Sequence, residues 1–108
     1  MDMFGFGMVG SYKERVVANT ELDNGAVIDT ARVTDSHEPF ETGITHPDYN
    51  DNRWIIVELY PDRLTAEAGH VKWCEVMKSL PDALEDVSTA WAASMLTALD
   101  GPQVYTRK

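Results

Sequence analysis

The apolar positions of this chain fall first into β-prone runs and then into helical stripes. Residues 15–22 and 26–33 are β-prone and flank Asn24-Gly25, a pair suited to the positive φ angles of a tight hairpin turn. The two segments are therefore predicted to pair antiparallel. A second strong strand signal is Arg53-Trp54-Ile55-Ile56-Val57-Glu58-Leu59-Tyr60, rich in β-branched and aromatic residues. Its almost continuous apolar run predicts a central strand covered on both faces. Residues 41–45 are expected to pair with it across the turn-rich Pro47-Asp48-Tyr49-Asn50-Asp51-Asn52.

The spacing then becomes helical. Pro61-Asp62 ends the strand and offers a capping carboxylate. Over residues 64–80, Ala66, Gly69, His70, Trp73, Met77 and Leu80 share one side, with Glu67, Lys72, Glu75 and Lys78 on the other. Gly69 costs a helix about 1 kcal/mol against alanine, so a close backbone approach is expected there. Residues 78–82 break this helix. A second helix is predicted from near Asp86 to Gly101-Pro102, with Leu84, Val87, Trp91, Met95 and Leu99 as its core stripe. Its other face carries the small, uncharged Ala90, Ala93, Ser94 and Thr97, and residues 87–99 hold no charge. Two readings stand side by side: a sparsely decorated surface helix, or a face covered by a second helix or subunit.

These elements predict an α+β fold: an antiparallel sheet of about four strands with two C-terminal helices packed on one face. Residues 1–12 read as an apolar, Gly-rich N-terminal arm, 13–101 as a single α+β domain and 102–108 as a C-terminal tail. At 108 residues, 44% of them hydrophobic, the chain fits one domain with its own core.

Nine basic against eighteen acidic residues give a net charge of −9. That sign repels phosphate backbones and anionic lipid, and it favours solubility or a basic protein partner. DNA mimicry is the weaker reading, because the acidic residues are scattered and not gathered in a run. No apolar stretch approaches the ~20 residues that span a bilayer, and Met1-Asp2-Met3-Phe4-Gly5-Phe6 lacks the shape of a signal peptide. The single cysteine, Cys74, leaves no intramolecular disulfide and fits a reducing, cytoplasmic site of synthesis.

Motifs with chemical meaning are few. Gly5-Phe6-Gly7-Met8-Val9-Gly10 matches G-x-G-x-x-G, but the pattern needs a strand before it, and four residues are too few. A better reading is an arm with Phe4, Phe6 and Met8 as anchors, clasping a neighbouring subunit or packing back on its own domain. His70 and Cys74 lie four apart on a helix and could share a zinc ion with His37, His46 and Asp48. The simpler reading is a hydrogen-bonded core histidine beside a buried thiol. Cys74 has no activating environment for nucleophilic catalysis, and loop carboxylates such as Glu38, Glu41, Asp48 and Asp51 read as solvated surface. No catalytic residue and no cofactor is expected. Residues 35–53 combine two prolines with Phe40 and Tyr49 among hydrogen-bonding groups, which suits a protein-binding loop or a self-packed connection.

The run Pro39-Phe40-Glu41-Thr42-Gly43-Ile44-Thr45-His46-Pro47-Asp48-Tyr49-Asn50-Asp51 resembles a stretch found in small uncharacterised tailed-bacteriophage proteins. Trp54-Ile55-Ile56-Val57-Glu58, Glu67-Ala68-Gly69-His70-Val71-Lys72-Trp73 and Leu80-Pro81-Asp82-Ala83-Leu84-Glu85-Asp86-Val87-Ser88 extend the similarity over roughly residues 4–89. The resemblance implies viral origin, synthesis in the host cytoplasm and a place in the virion or its assembly; it brings no catalytic motif. The expected function is a non-enzymatic phage structural or accessory protein acting through protein–protein contacts, with itself or with phage structural proteins. A soluble acidic inhibitor of a host defence or regulatory protein is the rival, and a zinc-dependent enzyme a weaker third.

Overall fold

A computed structural model of the chain describes residues 15–34, 38–88 and 102–108. Strands β1 (Val16–Glu21), β2 (Val27–Arg32), β3 (Phe40–Thr45) and β4 (Ile55–Tyr60) form one antiparallel sheet in the order β1-β2-β3-β4. Helix α1 (Arg63–Lys78) packs across one face of it. A second, two-stranded antiparallel sheet pairs β5 (Ala83–Asp86) with β6 (Gln103–Thr106) and lies beside β4. The α+β class and the four-stranded antiparallel sheet agree with the sequence reading. Of the two helices expected on one face, the first is α1, the only α-helix against the sheet among the described residues; Leu84, expected in the stripe of the second, enters the core from a strand. Residues 89–101, where most of the second helix was expected, lie outside the described residues. The presumed tail also carries β6, and the chain beyond it is fastened: Arg107 N–H donates to Asp82 O at 2.8 Å and Lys108 N–H to Asp48 O at 2.9 Å.

The first hairpin forms where predicted, with a different turn. Only Gly25 has positive φ, +95°, while Asn24 does not. Gly25 N–H donates to Leu22 O at 3.0 Å and Leu22 N–H to Ala26 O at 2.8 Å, a three-residue loop ending in a left-handed glycine. Asn24 is thereby free to act through its side chain. Its Oδ1 accepts from Ala26 N–H at 3.0 Å, and its Nδ2 donates to Met77 O at 2.9 Å. The second bond satisfies a carbonyl in the last turn of α1, one of the groups a helix cannot pair internally. At the other end, Asp62 accepts from Thr65 N–H at 2.8 Å, the cap the sequence announced.

β4 is an edge strand of the four-stranded sheet, not a central one. Its apolar run has another cause. Between the pairs Thr42↔Glu58 and Gly43↔Ile56, β3 advances one residue and β4 two, so Val57 is the extra residue of a bulge. Val57 is buried in the core and Glu58 hydrogen-bonds Trp73 of the helix, so neighbouring residues both face inward. The core cluster also holds Ala26, Ile28, Ile44, Tyr49, Ile55, Met77 and Leu84. Asn50, Asp51 and Asn52 all take left-handed φ, +51°, +52° and +65°, a conformation these residues tolerate better than most. Tyr49 beside them is buried, and its hydroxyl donates to Pro81 O.

Gly69 meets the close approach expected of it, from the Tyr60 ring. A Cβ there would overlap Cε1, Cζ and the hydroxyl of that ring far inside contact distance. Gly69→Ala should therefore destabilise the protein by about 1–3 kcal/mol of overpacking, against about 1 kcal/mol regained in helix propensity. Urea unfolding checks this: the midpoint is expected to fall with the m-value unchanged.

Candidate functional site

The interface between α1 and the sheet is polar along its middle. Alternation places Thr30 of β2 and Thr42 of β3 on the inward face as a directly opposed pair, beside Ile28 and Ile44. Their hydroxyls are 2.6 Å apart. His70, on the buried side of α1, has Nδ1 2.8 Å from Thr30 Oγ and Nε2 2.9 Å from Thr20 Oγ of β1. On the far side, Thr42 Oγ lies 2.8 Å from the Tyr60 hydroxyl, which donates at 3.4 Å to Glu58 Oε1. Trp73 Nε1 at 2.8 Å and Lys72 Nζ at 2.5 Å donate to the same carboxylate oxygen. A continuous hydrogen-bonded chain thus runs from Thr20 through His70, Thr30, Thr42 and Tyr60 to Glu58.

The environments shift the acidities accordingly. Burial depresses His70 below its ordinary value, with the nearby Asp29 charge acting the other way, so the ring is held neutral. Burial pushes Tyr60 up to about 12, although its bond from Thr42 opposes the rise. Burial alone would raise Glu58; hydrogen bonds from Lys72 and Trp73, with the Lys72 charge, outweigh it and keep the carboxyl below its usual range.

This geometry bears on the zinc alternative. Both ring nitrogens of His70 are engaged by threonine hydroxyls, and Cys74 packs half-buried against the core cluster. His46 is engaged as well. Its Nδ1 accepts from Asp48 N–H at 3.0 Å, so Nε2 carries the proton and donates to Asn24 O at 3.0 Å. Among the described residues no group of three or more His, Cys, Asp or Glu is gathered as a metal would require. His37 lies outside them.

The other face of the sheet carries a groove. Asp29 and Ala31 of β2, Glu41 and Gly43 of β3, and Trp54 and Ile56 line a groove of about 330 Å³. Trp54 stands over Gly43: a Cβ there would come to 3.2 Å from the indole and 3.3 Å from Ile56 Cδ1. Even so, Trp54 remains 52% exposed. A large flat aromatic seated on a glycine and half open to water can offer contact area to a second protein at little cost in side-chain entropy.

The expected interface residues fare differently. Tyr49 is withdrawn from the surface: it is fully buried, so it pins the loop to the core and cannot serve as a contact aromatic. Phe40 is half-buried at the start of β3. Phe4, Phe6, Met8, Ala90, Ala93, Ser94 and Thr97 lie outside the described residues. Sequence reasoning missed both Trp54 as an outward aromatic and the threonine–tyrosine chain. The signal for the chain was present, because Thr30 and Thr42 stand two residues from Ile28 and Ile44 and so share their inward parity. In comparisons with known proteins, no family model, no curated protein and no solved structure matches the chain. Among the described residues, no helix is long and apolar enough to cross a membrane.

The neutral His70 makes stability depend on pH in a defined window. Its folded pKa lies below the ordinary value of about 6.5, so the unfolded state binds the extra proton first. Its contribution is fully present above that value and is lost as pH falls towards the folded pKa. Unfolding free energy should therefore decline below about pH 6.5, with a slope of at most about 1.4 kcal/mol per pH unit from this group. Denaturant titrations at a series of pH values should show that component flattened in His70→Gln.

Proposed function

We propose that this chain is a non-enzymatic phage structural or accessory protein that works through protein–protein contacts in the virion or during its assembly. The groove beneath Trp54 is its contact surface. The observation that carries this reading is the half-exposed indole of Trp54, which with Ile56 and Ala31 lines the groove on the face of the sheet turned away from α1. Its occupant is a protein segment presenting an apolar side chain bracketed by lysine or arginine. Charge complementarity favours that chemistry: the groove walls carry two acidic residues, Asp29 and Glu41, against one basic residue, Arg15, and the whole chain carries −9. The same charge disfavours a second copy as occupant, since two such surfaces repel. The viral setting rests on the resemblance over residues 39–51 and the segments after it.

The rival reading, a soluble acidic inhibitor of a host defence or regulatory protein, is favoured by that net charge and would use the same groove. Quantitative mass spectrometry of purified particles of a phage carrying this chain separates the two. Stoichiometric copies per particle are expected, and absence from particles overturns the structural role. In the same phage, Trp54→Ala should remove about 2 kcal/mol of contact energy, about thirtyfold in affinity, and deplete the chain from particles. The variant's thermal midpoint should stay near that of the parent, because the indole lies outside the core. Undiminished incorporation of a folded Trp54→Ala chain would exclude this groove as the contact surface.

A further inference from the structure

The buried chain of hydrogen bonds ends on a carboxylate, and that end sets an order for the protons behind it. Each hydroxyl owns a single proton and can donate only once, whereas an ionised carboxylate accepts only. Glu58 only accepts: Oε1 takes Lys72 Nζ at 2.5 Å and Trp73 Nε1 at 2.8 Å, and the Tyr60 hydroxyl turns its proton to the same oxygen as a third, longer donor at 3.4 Å. The Tyr60 oxygen must then accept from Thr42 Oγ–H at 2.8 Å. With that proton committed, Thr42 accepts from Thr30 Oγ–H at 2.6 Å. Thr30 in turn has no second proton, and at 2.8 Å it accepts from Nδ1–H of His70. A neutral imidazole carries one N–H, so Nε2 is bare and receives the Thr20 hydroxyl proton at 2.9 Å.

We infer that Glu58 selects the Nδ1–H tautomer of His70 through Tyr60, Thr42 and Thr30, a one-way order of protons across the helix–sheet interface. Reversing the order would aim a lone pair of the phenol oxygen at the carboxylate. Glu58 is the accessible end, with its side chain about one-third exposed (34%) and in contact with Lys72. Withdrawal of that carboxylate frees each hydroxyl to turn, and the change reaches His70 with no movement of the backbone. The chain therefore connects the state of a partly exposed carboxylate on β4 to the hydrogen bonding of a buried ring on α1.

Side-chain ¹⁵N NMR of the uniformly labelled full chain near pH 8 reads the tautomer directly. In the wild type, His70 should show a pyrrole-like Nδ1 and a pyridine-like Nε2. His46, whose Nε2 carries the proton, provides the opposite pattern in the same spectrum, and His70→Gln assigns the signals. Tyr60→Phe and Thr42→Val each cut the chain between Glu58 and His70. In either variant the two His70 nitrogen shifts should move towards one another as both tautomers become populated, with the His46 pattern unchanged. An Nε2–H tautomer of His70 in the wild type overturns the inference by itself, whether or not the variants fold. So does an unaltered Nδ1–H pattern in a folded Tyr60→Phe or Thr42→Val protein.

Discussion

Hydroxyls and an imidazole removed from water must find partners, at about 1–3 kcal/mol for each buried group left unsatisfied. In this protein they find one another across the boundary between α1 and the sheet. Thr20, Thr30, Thr42 and Tyr60 come from four different strands, and His70 reaches them from the helix. Such bonds tolerate only a few tenths of an ångström, so the helix has one depth and one rotation at which all are made. Gly69 permits that depth by leaving room for the Tyr60 ring against the helix. Apolar packing alone is less exacting: Ile28, Ile44, Val57 and Met77 would fill the space in more than one arrangement.

The two faces of the sheet are built differently. The inward face meets α1 through the threonine chain and through the apolar cluster that also holds Met77 and Leu84. The bulge at Val57 serves this face, turning Val57 to the core while Glu58 meets Trp73 and Lys72. The outward face holds Trp54 and Ile56 above a glycine and lies uncovered by any described residue. Rigid support for an exposed aromatic is what a contact surface needs, because ordering the side chain has been done before the partner arrives.

Much of the sheet and helix was legible because each carried a local cause. Asn24-Gly25 marked a hairpin, Asp62 a cap, and Gly69 a close approach, all within a few residues of the structure they produce. The turn at residues 23–25 differed because Asn24 is drawn to Met77, a contact more than fifty positions away. The β5–β6 pair was not legible for a related reason. Ala83-Leu84-Glu85-Asp86 has helix-compatible residues, and its partner strand starts only at Gln103, so nothing local opposes a helical reading. β4 misled because a bulge imitates the apolar run of a central strand. Among the expected contact aromatics, Tyr49 was misplaced because a tyrosine in a polar loop looks exposed until its hydroxyl finds Pro81 O. Trp54 was hidden in the apolar run that leads into β4.

The threonines of the interface also constrain how such a sequence can drift. Losing one hydroxyl strands its neighbours, whereas exchanging a whole set of contacting polar groups for apolar ones of similar shape can be nearly neutral. Single steps away from this arrangement are therefore steeply uphill, while the distant all-apolar solution is not. Related chains should accordingly fall into two camps, with positions 20, 30, 42, 60 and 70 changing together, and intermediates between the camps should be scarce.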